Sequence, residues 1–325
     1  MTSLVTGARG FVGGWLAKAL LERGEPVVSF DRRRVAEKPS AVGMLGIEDD
    51  LIQVEGDLCD AGEIARVLSE HNVESVFHLA AETIVSTVQA SPVKGFESNV
   101  RGTWTLLQAC LENGVEKVVF ASSDKAYGAH DTLPYREDFP LQPTAPYEAS
   151  KAAADLIARS YWHSYGLPVA VTRFANIYGG GDLNFSRLIP EAVSAALDGR
   201  PPVLRSDGSP ERDFLFVEDA ASAYLAIADG LDRDDVRGEA FNAGGGRSYR
   251  VLDVIELITR LAGTGVEPDV RGTGNPDGEI DKQYVDPAKL RETLGWEPRV
   301  GLEEGLERTI DWYRAHPESW APAPN

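Results

Sequence analysis

"VTGARGFVGG", residues 5–14, decides the fold. The apolar run "SLVTG" leads into three glycines, Gly7, Gly10 and Gly13, and the amphipathic stretch "VGGWLAKALLERG" follows. Glycines there let the backbone turn tightly between a strand and a helix and approach a pyrophosphate at the helix N-terminus. A glycine-rich turn alone is a weak signal. The next apolar run, "VVSFD", strengthens it by ending at Asp31, where a carboxylate accepts both hydroxyls of an adenosine ribose. Arg32, Arg33 and Arg34 follow and offer the alternative of a 2′-phosphate, but the Asp31 carboxylate repels one, so NAD is expected over NADP.

Outward from this loop, "LIQVEGD", "SVFHLAA", "KVVFASS" and "PVAVTRF" read as near-continuous hydrophobic strands. Helical patterns such as "NVRGTWTLLQACLENG" lie between them, each ending at a glycine suited to a left-handed C-terminal position. This rhythm predicts an α/β fold, a doubly wound parallel (Rossmann) sheet covered on both faces. Residues 1–176 and 211–245, with later strands near "FLFV" and "AFNAGG", are expected to form the NAD-binding domain. Residues 177–210 and 246–325 are expected to form a smaller substrate domain, whose loop-rich "GGGDLNFSRLIP", "DGSPERD" and "RGTGNPDGEIDKQ" shape a ligand pocket.

Composition narrows the functional classes. A chain of 325 residues with 43% hydrophobic content can bury a real core. No apolar run is long enough to span a membrane, and the chain opens on a strand rather than a cleavable signal, so a cytoplasmic protein is expected. Cys59 and Cys110 have neither metal-type spacing nor the number for a disulfide framework and are expected to pack; no metal is expected. Lys plus Arg number 32 against 51 Asp plus Glu, and the net charge of −19 repels nucleic acid. An anionic ligand would therefore need a few local cations.

Two stretches carry chemistry. In "YEASK", Tyr147 and Lys151 stand one helical turn apart on the same face, where an ammonium and a cationic nicotinamide would favour the phenolate. Tyr147 could then take a proton from a sugar hydroxyl. In "FASSDKAYG", Ser123 supplies a hydroxyl at a strand end, and Asp124 and Lys125 set an acid beside a base.

These motifs resemble the extended short-chain dehydrogenase/reductases that act on nucleotide sugars. The likeness rests on "TGARGFVGG", "GDL" at residues 56–58, "HLAA" at 78–81, "SNVRGT" around Asn99, "YEASK", "RFANIYGGG" and "RDFLFVEDA". It implies that Gly7, Gly10, Phe11, Val12 and Asp31 bind the cofactor, with Asp57 and Leu58 near the adenine and Leu79, Ala80, Ala81 and Asn99 further along it. It makes Ser123, Tyr147 and Lys151 the catalytic triad, Lys151 also holding the nicotinamide ribose. Thr83, Ser123, Asn176, Arg187, Leu188, Arg212 and Lys282 fall where relatives hold a nucleotide-diphosphate sugar. His78 reads as a structural histidine. The helices beginning near Val100 and Tyr147 resemble those through which relatives form homodimers, with "WTLL" and "YWHSYG" as apolar surface.

The resemblance also gives the Asp124–Lys125 pair a meaning. A 4-epimerase of this kind needs only Tyr147, Ser123 and NAD. A 4,6-dehydratase must also remove the C5 proton and protonate the departing C6 hydroxyl. Relatives acting on thymidine-linked glucose use Asp-Glu at these posts, whereas Asp-Lys is similar to the CDP-glucose 4,6-dehydratases, as is "GGGDLNFSRLIP". Asp124 is then the expected acid and Lys125 the expected base, its pKa lowered by partial burial and by neighbouring cations. Some sugar 2-epimerases also keep a lysine there. The expected function is an NAD-dependent nucleotide-sugar 4,6-dehydratase of the CDP-glucose kind. A nucleotide-sugar epimerase is the alternative, followed by a non-catalytic NAD or nucleotide-sugar binding protein.

Overall fold

The computed structural model describes residues 1–32, 39–274 and 280–320. Six strands, β1 (Thr2–Thr6), β2 (Val27–Asp31), β3 (Ile52–Glu55), β4 (Val73–His78), β5 (Lys117–Ala121) and β6 (Val169–Phe174), join a seventh at Ala240–Ala243. The sheet runs in the order Ala240–Ala243, β6, β5, β4, β1, β2, β3, with every pairing parallel. The order turns back between β1 and β4, so the crevice beyond their C-terminal ends is where a doubly wound sheet binds ligands.

Burial explains the unbroken apolar runs. Val5, Val118, Val119 and Val171 are fully buried because helices cover both faces. On one face Leu16 and Leu20 of the helix Phe11–Glu22 meet Tyr224 and Ile227 of Val217–Gly230. On the other, Ile64, Leu106, Leu107 and Ala158 come from the helices Ala61–Glu70, Gly102–Glu112 and Pro146–Tyr165. Gly24 and Gly114 follow two of these helices at φ of +75° and +68°, the left-handed conformation that stops a helix.

Two expectations shift. "FLFV" does not enter the main sheet: Phe214–Phe216 pairs in parallel with Asn176–Tyr178. The place beside β6 in the main sheet goes instead to Ala240–Ala243, which follows it in the chain. Phe214 and Phe216 then join a third apolar cluster with Tyr178, Ile255, Leu306 and Tyr313. Conversely, Leu290 and Trp296 of the C-terminal region join the core of the main sheet, so chain position and packing cross at both ends of the expected division. Within "WTLL", Leu106 and Leu107 are core residues, and only Trp104 stays 45% exposed. Among the described residues, no helix is long and apolar enough to cross a membrane and no side-chain cluster suits a metal ion.

Candidate active site

A single cleft of about 1800 Å³ runs along the C-terminal ends of the strands, from Asp31 past Tyr147 to Arg271. Its first part is built largely from backbone. Gly7 takes a φ of +78°, and a Cβ there would lie 3.0 Å from the Ala80 backbone. A Cβ on Gly13 would come within 2.2 Å of the Gly7 carbonyl oxygen. The helix that starts at Phe11 has no side-chain cap and no acidic residue in its first turn, so its leading N–H groups remain for an anion. Asp31 accepts from Ser29 Oγ at 2.7 Å and from the Arg9 N–H at 3.3 Å; burial raises its pKa, against these hydrogen bonds. The loop and the carboxylate fit a dinucleotide, with its pyrophosphate at the uncapped helix and its ribose at Asp31.

Phe11, Val12, Asp57, Leu58, Leu79, Ala80, Ala81 and Thr83 line the same part of the cleft, as does Arg32; Arg33 and Arg34 lie outside the described residues. Asn99 does not line it. Asn99 sits in a π-helical turn, Glu97–Arg101, where the extra residue per turn directs it inward. Its Oδ1 accepts from the Glu82 N–H at 2.6 Å, and its Nδ2 donates to the Glu82 carbonyl and to Ser150 Oγ, each at 3.0 Å. It thus ties the exit of β4 to the helix Pro146–Tyr165. His78 is held between Thr6 and Thr103 hydroxyls at 2.8 and 3.1 Å, and burial drives its pKa down to about 3, a neutral structural ring.

The middle of the cleft gathers Ser123, Asp124, Lys125, Tyr147 and Lys151. Lys151 donates to the Ala121 carbonyl at 2.8 Å, and burial lowers its pKa to about 8. Burial pushes Tyr147 up to about 12, and the nearby Asp124 carboxylate adds to this, while Arg187 and a hydrogen bond with Ser123 pull it back. Lys151 is turned onto a carbonyl, while the Arg187 charge favours the Tyr147 phenolate. Ser123 Oγ caps the short 3₁₀ turn Asp124–Tyr127, accepting from the Lys125 N–H at 3.2 Å and donating to Asp124 Oδ1 at 3.1 Å. Asp124 is only 3% exposed and its Oδ2 has no hydrogen-bond partner. Burial raises its pKa, against the charge of Lys125, the hydrogen bond with Ser123 and the charge of Arg212. Lys125 is half-buried beside it.

The far part of the cleft is made of side chains in ion pairs and polar contacts. Arg187 donates to Asp182 at 2.7 Å and to the Ile177 carbonyl at 2.8 Å, and lies 6.0 Å from the Phe11 ring. Leu188 follows it and opens the helix Leu188–Leu197. Arg212 is 7% exposed and donates to the Glu211 and Asp281 carbonyls. Asn176 donates to the Asp213 carbonyl at 3.1 Å. Lys282 stands outside the lining, paired with Glu211 at 2.8 Å. Arg205 and Arg271, which the motifs do not single out, line the cleft instead. Their placement comes from the pairing of Val203–Leu204 with Asp269–Val270, a long-range contact with no local sequence signal.

Comparison with known proteins places this geometry. Residues 3–244 match the model of the NAD dependent epimerase/dehydratase family. The chain is 37% identical over 335 residues to the dTDP-glucose 4,6-dehydratase of Streptomyces antibioticus, covering 99% of this chain and 95% of that one. It is 31% identical over 340 residues to the UDP-glucose 4-epimerase of Halalkalibacterium halodurans, covering 99% and 98%. The crystal structure of DesIV, a dTDP-glucose 4,6-dehydratase from Streptomyces venezuelae with NAD and TYD bound, superposes with a TM-score of 0.88 at 33% identity over 99% of both chains. The chain spans 48% of the length of a trifunctional UDP-glucose 4,6-dehydratase/UDP-4-keto-6-deoxy-D-glucose 3,5-epimerase/UDP-4-keto-L-rhamnose-reductase of Arabidopsis thaliana. With its loop, cleft and tyrosine–lysine helix, the chain belongs to the NAD-dependent epimerase/dehydratase family.

Proposed function

We propose that the chain is a nucleotide-sugar 4,6-dehydratase that converts a nucleotide-linked glucose to its 4-keto-6-deoxy form, with CDP-glucose as the substrate its Asp124–Lys125 pair suggests. Its cofactor is NAD, as throughout the family, which when bound supplies the hydride acceptor at C4 and the donor at C6. The observation that carries the reading is Asp124: a carboxyl only 3% exposed, with one oxygen unpartnered, on the same turn as half-buried Lys125.

Tyr147 accepts the proton of the C4 hydroxyl, with Ser123 as its hydrogen-bonding neighbour. Lys125 takes the proton from C5, made acidic by the adjacent C4 ketone, while Asp124 gives its own to the C6 oxygen, which leaves as water. Arg212 and Arg187 are the proposed diphosphate contacts, because guanidinium forks match phosphate oxygens, together with Asn176, Thr83 and Leu188 on the sugar side. Lys282 is the weakest member of that set, since reaching the cleft requires it to leave Glu211. Trp104, Leu156 and Tyr165, 45%, 56% and 62% exposed on the helices Gly102–Glu112 and Pro146–Tyr165, support a homodimer through those helices.

The epimerase likeness keeps a second reading in play, since Ser123, Tyr147 and Lys151 alone suffice for epimerisation. Heavy water separates the two. A dehydratase places one deuterium at C5 of a product lighter by one water; interconversion of two epimers without deuterium on carbon overturns the dehydratase reading.

A further inference from the structure

Arg173 is the largest side chain fully buried among the described residues, and it stands on β6 in the run "VAVTRF", whose other residues apart from Thr172 are apolar. Its Nε and Nη2 donate to the two oxygens of Asp155 at 2.8 and 2.9 Å, a bidentate pair in which Asp155 is 0% exposed. Its Nη1 donates to the Tyr127 hydroxyl at 3.1 Å and to the Glu137 carbonyl at 3.2 Å. The Tyr127 hydroxyl in turn donates to Asn242 Oδ1 at 2.8 Å, so its donor and an acceptor position are both in use. The Tyr127 ring is fully buried, stacked on Tyr135 with centroids 4.9 Å apart and capped by the Arg173 guanidinium at 5.0 Å.

The ends of this chain of contacts are what matter. Tyr127 closes the 3₁₀ turn that opens with Asp124 and Lys125. Asp155 lies on the helix Pro146–Tyr165, one turn beyond Lys151 and two beyond Tyr147, and its charge supports the ammonium of Lys151. One hydrogen-bonded path through β6 therefore joins the turn bearing the acid and base to the helix bearing the redox tyrosine and lysine. A buried ion pair is seldom the cheapest way to stabilise a core, because an apolar group of the same shape avoids the desolvation cost. It does fix geometry, because a bidentate fork and a two-way hydroxyl each admit few arrangements.

Resting on the dehydratase reading above, we propose that Asp155, Arg173 and Tyr127 are positioning residues that hold the Asp124–Lys125 turn in register with the Tyr147–Lys151 helix. The Tyr127 hydroxyl then acts selectively on water loss. Oxidation at C4 uses Tyr147 and Lys151 on the helix and Ser123 at the opposite end of the turn from Tyr127, next to Ser122, whose N–H bonds to the Thr172 carbonyl of β6 at 2.9 Å. Elimination requires Asp124 and Lys125 to meet C6 and C5 of a sugar already held by those groups, and a small displacement of the turn costs reaction geometry directly.

The test is Tyr127→Phe in the NAD-loaded full chain, with Thr309→Val as a control. Thr309 is also fully buried, but its hydroxyl donates to the Gly305 carbonyl, and it does not line the cleft. Single turnovers on whichever of CDP-, UDP- or dTDP-glucose the wild type dehydrates are followed by the near-ultraviolet absorbance of reduced nicotinamide and by product mass. For Tyr127→Phe the rise of the absorbance should stay within about twofold of wild type. Its decay, which waits on water loss, should slow by roughly 10- to 100-fold, with KM little changed. Thr309→Val should alter neither phase, even if it melts earlier. A Tyr127→Phe decay matching wild type, or rise and decay slowed together to the same extent, overturns the positioning role while leaving the dehydratase reading intact. A wild type that removes no water from any of the three overturns both.

Discussion

The two halves of the cleft are held by different means. The cofactor half is set by backbone: Gly7 against Ala80, Gly13 against the Gly7 carbonyl, an uncapped helix start, and Asp31 pinned by the adjoining Arg9 amide. The substrate half is set by side chains in ion pairs, two of them local and one joining distant segments. Arg187 pairs with Asp182, Arg271 with Asp269 and Lys282 with Glu211, so cations suited to a diphosphate already have carboxylate partners. A ligand entering the first half finds donors waiting, whereas one entering the second must compete for them. In a chain with a net charge of −19, that internal neutralisation limits how strongly the far half attracts an anion.

The contrast is broken most severely where the halves meet. Tyr147→Phe should lower turnover by roughly 10²- to 10⁴-fold, the range for losing a proton-transfer group, while calorimetry finds NAD binding unchanged because the ring still packs. Undiminished activity would take Tyr147 out of the mechanism. A smaller effect falls within the cofactor half. Asp31→Ala removes the carboxylate expected to accept two ribose hydroxyls, and NAD affinity should drop about 10- to 100-fold, with little effect on turnover at saturating NAD. The smallest effect sharpens the comparison from the other side. Lys282→Ala should leave KM for the nucleotide sugar within about twofold of wild type, because Lys282 lies outside the lining and is engaged by Glu211. A tenfold rise in KM would show that the lysine swings into the cleft.

The same contrast governs what could be read from the sequence. Gly7, Gly10, Asp31, Tyr147 and Lys151 owe their places to local features, a turn that needs missing side chains, a strand end and one helical turn, and these are legible as patterns. "FLFV" looks like a strand and is one, but nothing in its own pattern marks Asn176–Tyr178 as its partner. Arg205 and Arg271 reach the cleft through a two-residue ladder joining distant segments, with nothing local to mark them. Arg173 did leave a trace. A lone arginine inside an apolar strand has to find a buried partner, but Asp155 and Tyr127 could be named only once the helix and the turn were packed beside it.

The Lys151 ammonium, folded against the Ala121 carbonyl, has a thermodynamic consequence apart from catalysis. Burial lowers its pKa to about 8, below the ordinary lysine value of 10.5, so between those pH values the unfolded chain binds more protons at this site than the folded one. Stability contributed by this residue therefore rises with pH across that window. At neutral pH and below, both states are protonated and the native state bears the full desolvation cost of a buried cation. The lysine that serves the reaction is thus a standing charge on the fold at neutral pH, and that charge lightens only under alkaline conditions.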